Sequence, residues 1–196
     1  MHENTETIVL MGPIGVGKST QAELLAQKLE RPRCCYDDVK GRYLKQAGFD
    51  PKNALSSNSD QSEYGMFCYK NKYRCEILSK IIHDHPGHII DLGGGTHCFN
   101  DPQEIELAKQ VLDPIAEIFY LLPSNDLATN INSLPGFKQG YAINTYIMMH
   151  PTNAMFAKKI VYTRGKTPEE IMQEIVDQIG KPNKPLYMDK LFNGDK

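Results

Sequence analysis

The stretch GPIGVGKST, residues 12–20, decides how the rest of the chain is read. It fits the pattern G-x-x-x-x-G-K-[ST], in which a glycine-rich loop cradles phosphate groups. The apolar run Ile8, Val9, Leu10, Met11 precedes it, and Ala22, Leu25, Ala26 and Leu29 follow at helical spacing. Strand, loop and helix therefore come in the order that a phosphate loop requires. Gly12, Gly15 and Gly17 let the backbone turn tightly and bring bare N–H groups to phosphate oxygens at the positive end of the helix. The backbone from Gly15 through Val16, Gly17, Lys18, Ser19 and Thr20 would hold the phosphates of ATP. Lys18 would reach the β- and γ-phosphates, with the Ser19 hydroxyl on a magnesium ion bridging them. An ordinary glycine turn needs no Lys-Ser pair after its last glycine.

The chain as a whole bounds the answer. Its 196 residues, 40% of them hydrophobic, suit one α/β domain with a full core and a small insertion. A formal charge of −2 gives no global attraction for nucleic acid or an acidic membrane, so any anion site is local. The five cysteines, Cys34, Cys35, Cys68, Cys75 and Cys98, form no CxxC pair, and buried thiols are the plain reading. Residues 1–7 are polar, and no apolar run approaches the roughly 20 residues that span a bilayer. The expectation is a reduced, cytoplasmic monomer acting on a small molecule, without nucleic-acid or membrane partners.

Outward from the loop, residues 33–36 read as a short second strand ending at Asp37 and Asp38. In a parallel sheet, ligands gather beyond the carboxyl ends of the strands, so these acids should face the phosphate loop. They also suit the cap and first turn of a helix over 39–47. Residues 48–61 read as a surface loop and 64–83 as a helix. Most of that helix's charges suit a solvated face, but Arg74, with Arg42 on the preceding helix, has the length to enter the crevice. The second strong signal is HIIDLGGGTH, residues 88–97. Asp91 stands where an acid of the magnesium shell is expected, and Gly93, Gly94 and Gly95 expose backbone that can pack against a substrate. His97 is either a substrate contact or a loop histidine satisfied by its neighbours.

A helix over 102–112 and an apolar strand over 115–122 come next. Residues 134–143, with two glycines and a proline, suit a hinged lid or a helix connection. Helical segments at 143–149 and 153–157 are interrupted near His150 and Pro151. A strand over 159–163, a turn at 164–166 and a helix capped by Thr167 with Pro168 first complete the body. The tail, 181–196, carries an apolar patch that either docks or stays loose.

This order of landmarks resembles the shikimate kinases and the nucleoside-monophosphate-kinase-like fold to which they belong, over about residues 8–180. The loop at 12–20, the acids Asp37 and Asp38, the triple glycine and the segment AKKIVYT, residues 157–163, carry the match. The resemblance implies a three-layer α/β P-loop kinase fold, with a parallel central sheet, helices on both faces and a small lid. It also implies a substrate-binding region at about 38–75, in which Asp38 or Asp37 contacts a hydroxyl and the triple glycine lines the pocket. Arg164 to Pro168 falls where this fold packs adenine. In the family, arginines bind the substrate carboxylate, whereas this chain has Met149-His150-Pro151 at one such place and no arginine in its lid. Arg74 matches the substrate arginine of the middle helix. The expectation is a magnesium- and ATP-dependent kinase for a less anionic hydroxylated molecule, with Lys18 and Asp37 or Asp38 as catalytic residues. Two rivals remain. A nucleoside or nucleotide kinase would want more than the five arginines present, and a regulator would bind ATP without transfer.

Overall fold

The first strand, β1 (Ile8–Met11), forms where four apolar residues follow one another, and all four are fully buried. A strand covered on both faces cannot alternate with polar residues. The computed structural model describes residues 7–50, 63–126, 129–130, 134 and 140–182, with the backbone alone for 63–72 and 140–142. Around β1 stand β2 (Arg33–Cys35), β3 (Ile89–Asp91), β4 (Glu117–Leu122) and β5 (Lys159–Tyr162). The order is β2-β3-β1-β4-β5 and every pairing is parallel. β1 is bonded on one side to β3, with Leu10 opposite Asp91, and on the other to β4, with Met11 opposite Tyr120. The carboxyl ends of β1, β2 and β3 therefore lie together, where such sheets bind ligands.

Helices connect the strands: α1 (Lys18–Leu29), α2 (Tyr36–Gln46), α3 (Glu63–Asp84), α4 (Pro102–Leu112), α5 (Gly140–Met149), α6 (Thr152–Phe156) and α7 (Pro168–Gln178). α1 packs on α7 and β3, while α3 packs between α2 and α4, so helices flank the sheet as expected. At α7 the Thr167 hydroxyl accepts from the Glu170 N–H, and the Glu170 carboxylate returns the bond to the Thr167 N–H. Such a reciprocal cap is worth about 1 kcal/mol. The far end of α7 is pinned from the sheet. Lys159 reaches Glu117 at 2.5 Å and the Gln178 carbonyl at 2.7 Å, and the Gly180 N–H donates to Glu117.

Several boundaries differ from the sequence reading, as where β4 starts at Glu117 and not at 115, and two of them bear on the site. Tyr36, expected in β2, opens α2, because the helix starts directly after Cys35 and carries Asp37 and Asp38 in its first turn. Residues 140–143, expected in a lid, belong to α5. Residues 135–139 of that lid, 51–61 of the surface loop and 183–196 of the tail lie outside the described residues. Among the described residues no helix is long and apolar enough to cross a membrane.

Candidate functional site

The phosphate loop takes its shape from glycine. Gly12 has φ 148°, and a Cβ there would stand 2.5 Å from the Leu121 carbonyl oxygen of β4, so the loop leaves the sheet in contact with the neighbouring strand. Lys18 opens α1 and folds back over the loop. Its ammonium donates to the carbonyls of Gly12 at 3.0 Å and Pro13 at 2.8 Å. Burial lowers its pKa to about 8, against the opposing pull of Asp37 and Asp91. A cation held at that cost favours an incoming anion, which restores the charge's partner.

Across from the loop lies the triple glycine, and the two are in contact. A Cβ on Gly94 would meet Ile14 Cγ1 at 2.4 Å. A Cβ on Gly93 would fall 3.0 Å from the Tyr36 ring and 3.3 Å from Asp37 Oδ1. Absent side chains thus let three walls converge on a cavity of about 570 Å³. Gly15, Gly17, Lys18, Ser19 and Thr20 line one side, and Asp37, Lys40 and Gly94 the other, with Ile14, Leu92 and Ile143 completing it. Lys40, one turn after Asp37, donates to it at 2.6 Å.

Both acids are exposed, but of the two only Asp37 lines the cavity. One residue explains the difference, since a helix turns 100° per residue and neighbours in a first turn face apart. Arg42, placed by the sequence reading near the crevice, stands apart from the cavity. Its guanidinium stacks over the Tyr43 ring at 4.8 Å and donates to the Tyr43 hydroxyl, which itself bonds Asp84, so it is engaged at the carboxyl end of α3 and does not line the cavity. Arg74 is buried behind the glycines, and its fork donates to the carbonyls of Gly95 at 2.6 Å and Cys98 at 2.7 Å. These two bonds tie α3 to the glycine turn. Burial lowers the Arg74 pKa.

Asp91 is buried at the end of β3 and ion-paired with Arg33 at 3.3 Å. A guanidinium already shares its carboxylate, so direct ligation of a metal would compete with that pair. Among the described residues no three His, Cys, Asp or Glu side chains gather to hold an ion by themselves. Ser19 contributes a hard hydroxyl oxygen to the cavity wall, a donor suited to a cation that keeps most of its shell from water and phosphate.

His97 lies behind the glycine turn and is bonded at only one of its ring nitrogens, since its buried Nδ1 has no hydrogen-bond partner among the described residues. It is fully buried, its Nε2 bonds Asn153 Oδ1 at 2.7 Å, and burial lowers its pKa to about 3. Asn153 in turn donates to the carbonyls of Ile147 and Met148, so the pair stitches the glycine turn to the end of α5. His150 is likewise structural, bonded to Thr152 and Asn100. The turn after β5 stands beside α1, where Gln21 donates to the Pro168 carbonyl. Arg164 in that turn is exposed. Lys40, Ile143 and Asn144 carry no motif and went unread; only the i, i+3 spacing of Asp37 and Lys40 hinted at the first.

No protein-family model matches the chain. The shikimate kinase of Streptomyces coelicolor is 26% identical over 183 residues, covering 88% of this chain and 94% of that protein. Among solved structures, the shikimate kinase of Acinetobacter baumannii in complex with shikimate superposes with a TM-score of 0.55 at 16% identity, covering 99% of this chain and 97% of that one. A gluconokinase of Sinorhizobium meliloti 1021 reaches a TM-score of 0.53 at 13% identity over the whole of both chains. The chain is thus similar in sequence to shikimate kinases over most of its length, and its parallel sheet and phosphate loop are those of the P-loop kinase fold.

Proposed function

We propose that the chain is a kinase that passes the γ-phosphoryl group of ATP to a hydroxyl of a small molecule. One observation carries this reading: a single cavity is shared by the phosphate loop and, opposite it, by Asp37, Lys40 and Gly94. ATP with magnesium would supply the phosphoryl group and neutralise its oxygens. Lys18 and the loop amides would hold the phosphates, and the Ser19 hydroxyl the metal, with Asp91 reaching it through water. Arg164 and Pro168 would flank the base. Asp37 would orient the acceptor hydroxyl and take its proton, with Lys40 fixing the carboxylate. The similarity to shikimate kinases supports the class of reaction.

The acceptor is a hydroxylated molecule less anionic than shikimate. Arg74 already donates to two backbone carbonyls, Arg42 is engaged elsewhere, and residues 134–143 contain no arginine. A carboxylate without a guanidinium fork loses roughly 1.5–3 kcal/mol per charge-assisted bond. The test is a panel of hydroxylated metabolites, shikimate included, scored for conversion of ATP to ADP with Asp37→Asn and Asp38→Asn beside the wild type. Turnover of a neutral polyol or sugar, lost in Asp37→Asn and kept in Asp38→Asn, is expected. Efficient phosphorylation of shikimate overturns the acceptor class, and nucleotide binding without turnover of any acceptor favours the regulator.

A further inference from the structure

Asn144 lies in the second turn of α5 and is buried against the phosphate loop, 130 residues away in sequence. Its side chain makes two bonds to one residue of that loop. Asn144 Oδ1 accepts from the Ile14 N–H at 2.8 Å, and Asn144 Nδ2 donates to the Ile14 carbonyl at 3.1 Å. The pairing fixes the amide's orientation, since the reverse would set oxygen against oxygen and N–H against N–H. On its other side Ile14 packs on Gly94, at a distance that leaves no space for a methyl group. The third residue of the loop is therefore held between α5 and the glycine turn. Lys18 holds the two residues before it by their carbonyls.

We propose that Asn144 is a positioning residue for the phosphate loop. It fixes the peptide at Ile14, and so the direction in which the amides from Gly15 to Thr20 face a nucleotide. The inference rests on the nucleotide site proposed above. Amides that converge on a phosphate before it arrives bind it tightly, because no ordering remains to be done on binding. The Ile14 N–H is already taken, so Asn144 does not compete for phosphate; it shapes the loop. An alanine at 144 would leave both polar atoms of Ile14 facing a gap and free the loop's entry to rotate.

The test measures binding of magnesium-ADP and of a fluorescent ATP analogue to wild type, Asn144→Ala and Asn144→Asp, by calorimetry and fluorescence titration from pH 5 to 8. Thermal melts and circular dichroism of each variant report folding. Asn144→Ala is expected to lose about tenfold in affinity, the worth of two hydrogen bonds, equally at every pH. Asn144→Asp is the second arm. Its carboxylate keeps the acceptor for the Ile14 N–H, loses the donor and adds negative charge beside the phosphates. Once protonated, its carboxyl group again offers one acceptor and one donor in the geometry of the amide. Its affinity relative to wild type should therefore rise as pH falls from 8 to 5, a rise to which relief of the added charge also contributes, so the uncharged Asn144→Ala carries the decision. Lys18 on α1 and Asp37 and Lys40 on α2 line the same cavity, and the phosphates titrate too, so each variant is read as a ratio to wild type at each pH. His97, behind the glycine turn, stays neutral throughout.

Affinities within twofold of wild type in Asn144→Ala, or a flat ratio across pH in Asn144→Asp, overturn the inference while leaving the nucleotide site intact. Should Asn144→Ala fail to fold, Asn144→Leu, uncharged and closer to asparagine in volume, is read in its place against the same twofold limit. Wild-type protein that binds neither nucleotide overturns the site, and this inference with it.

Discussion

At the scale of single residues, Lys18 and Asp37 concentrate the chemistry. Burial sets the Lys18 pKa at about 8 against an ordinary 10.5, so below pH 8 the native protein carries the full cost of a buried cation. Between pH 8 and 10.5 the unfolded chain binds a proton that the native state lacks, and stability rises with pH across that window. The shift corresponds to about 3 kcal/mol, and loss of the bonds to Gly12 and Pro13 offsets part of it. Lys18→Met should therefore stabilise the protein by about 1–3 kcal/mol at pH 7, a gain that fades by pH 10.5 in urea unfolding, while abolishing nucleotide binding. In the wild type, ADP affinity should fall as pH rises past 8, by up to tenfold per unit. For Asp37→Asn, turnover should fall roughly 10²- to 10⁴-fold with nucleotide affinity unchanged, whereas Asp38→Asn should stay near wild type in the same steady-state assay.

At the scale of elements, the glycine turn after β3 matters through what it touches. Gly94→Ala would drive its methyl group into Ile14 Cγ1 with the Ile14 backbone nitrogen 3.4 Å away, so Ile14 must turn or shift to make room. It should cost about 1–3 kcal/mol in stability and weaken nucleotide binding, because the strain falls on the phosphate loop. Calorimetric melts and ADP titration of the same variant check both effects. At the opposite end of the sheet, the buried pair Lys159 and Glu117 ties β5 and β4 to the end of α7. Lys159→Met leaves Glu117 charged and unpaired, at a cost of about 3–5 kcal/mol in equilibrium unfolding, and Lys159→Met with Glu117→Leu should recover most of it. The same elements mark how far the sequence could be read. The phosphate loop, the helix over 102–112 and the cap at Thr167 were legible because each is specified locally, by glycine spacing, apolar period or side-chain capping. The choice between Asp37 and Asp38 was not, since it turns on the angle at which α2 leaves β2. Arg74 and Arg42 have the same side chain and the same reach in sequence; what they bond to depends on partners brought by Gly95, Cys98 and Tyr43. Asn144 had no local signal at all, because its two bonds cross 130 positions.

At the scale of the whole molecule, β1 lies at the centre of the sheet, yet neither of its bonded neighbours adjoins it in the chain. β2 comes next in sequence but stands beyond β3, and the far side of β1 is completed only by β4, ending at Leu122. Contacts of such long sequence separation form late, after much of the chain has lost its freedom. During translation, the loop at 12–20 therefore emerges well before β3 and β4 but acquires its shape only when the polypeptide past Leu122 has left the ribosome. Until then a nascent chain displays a glycine-rich stretch with no grip on nucleotide, and a fragment stopped before β4 should remain without one.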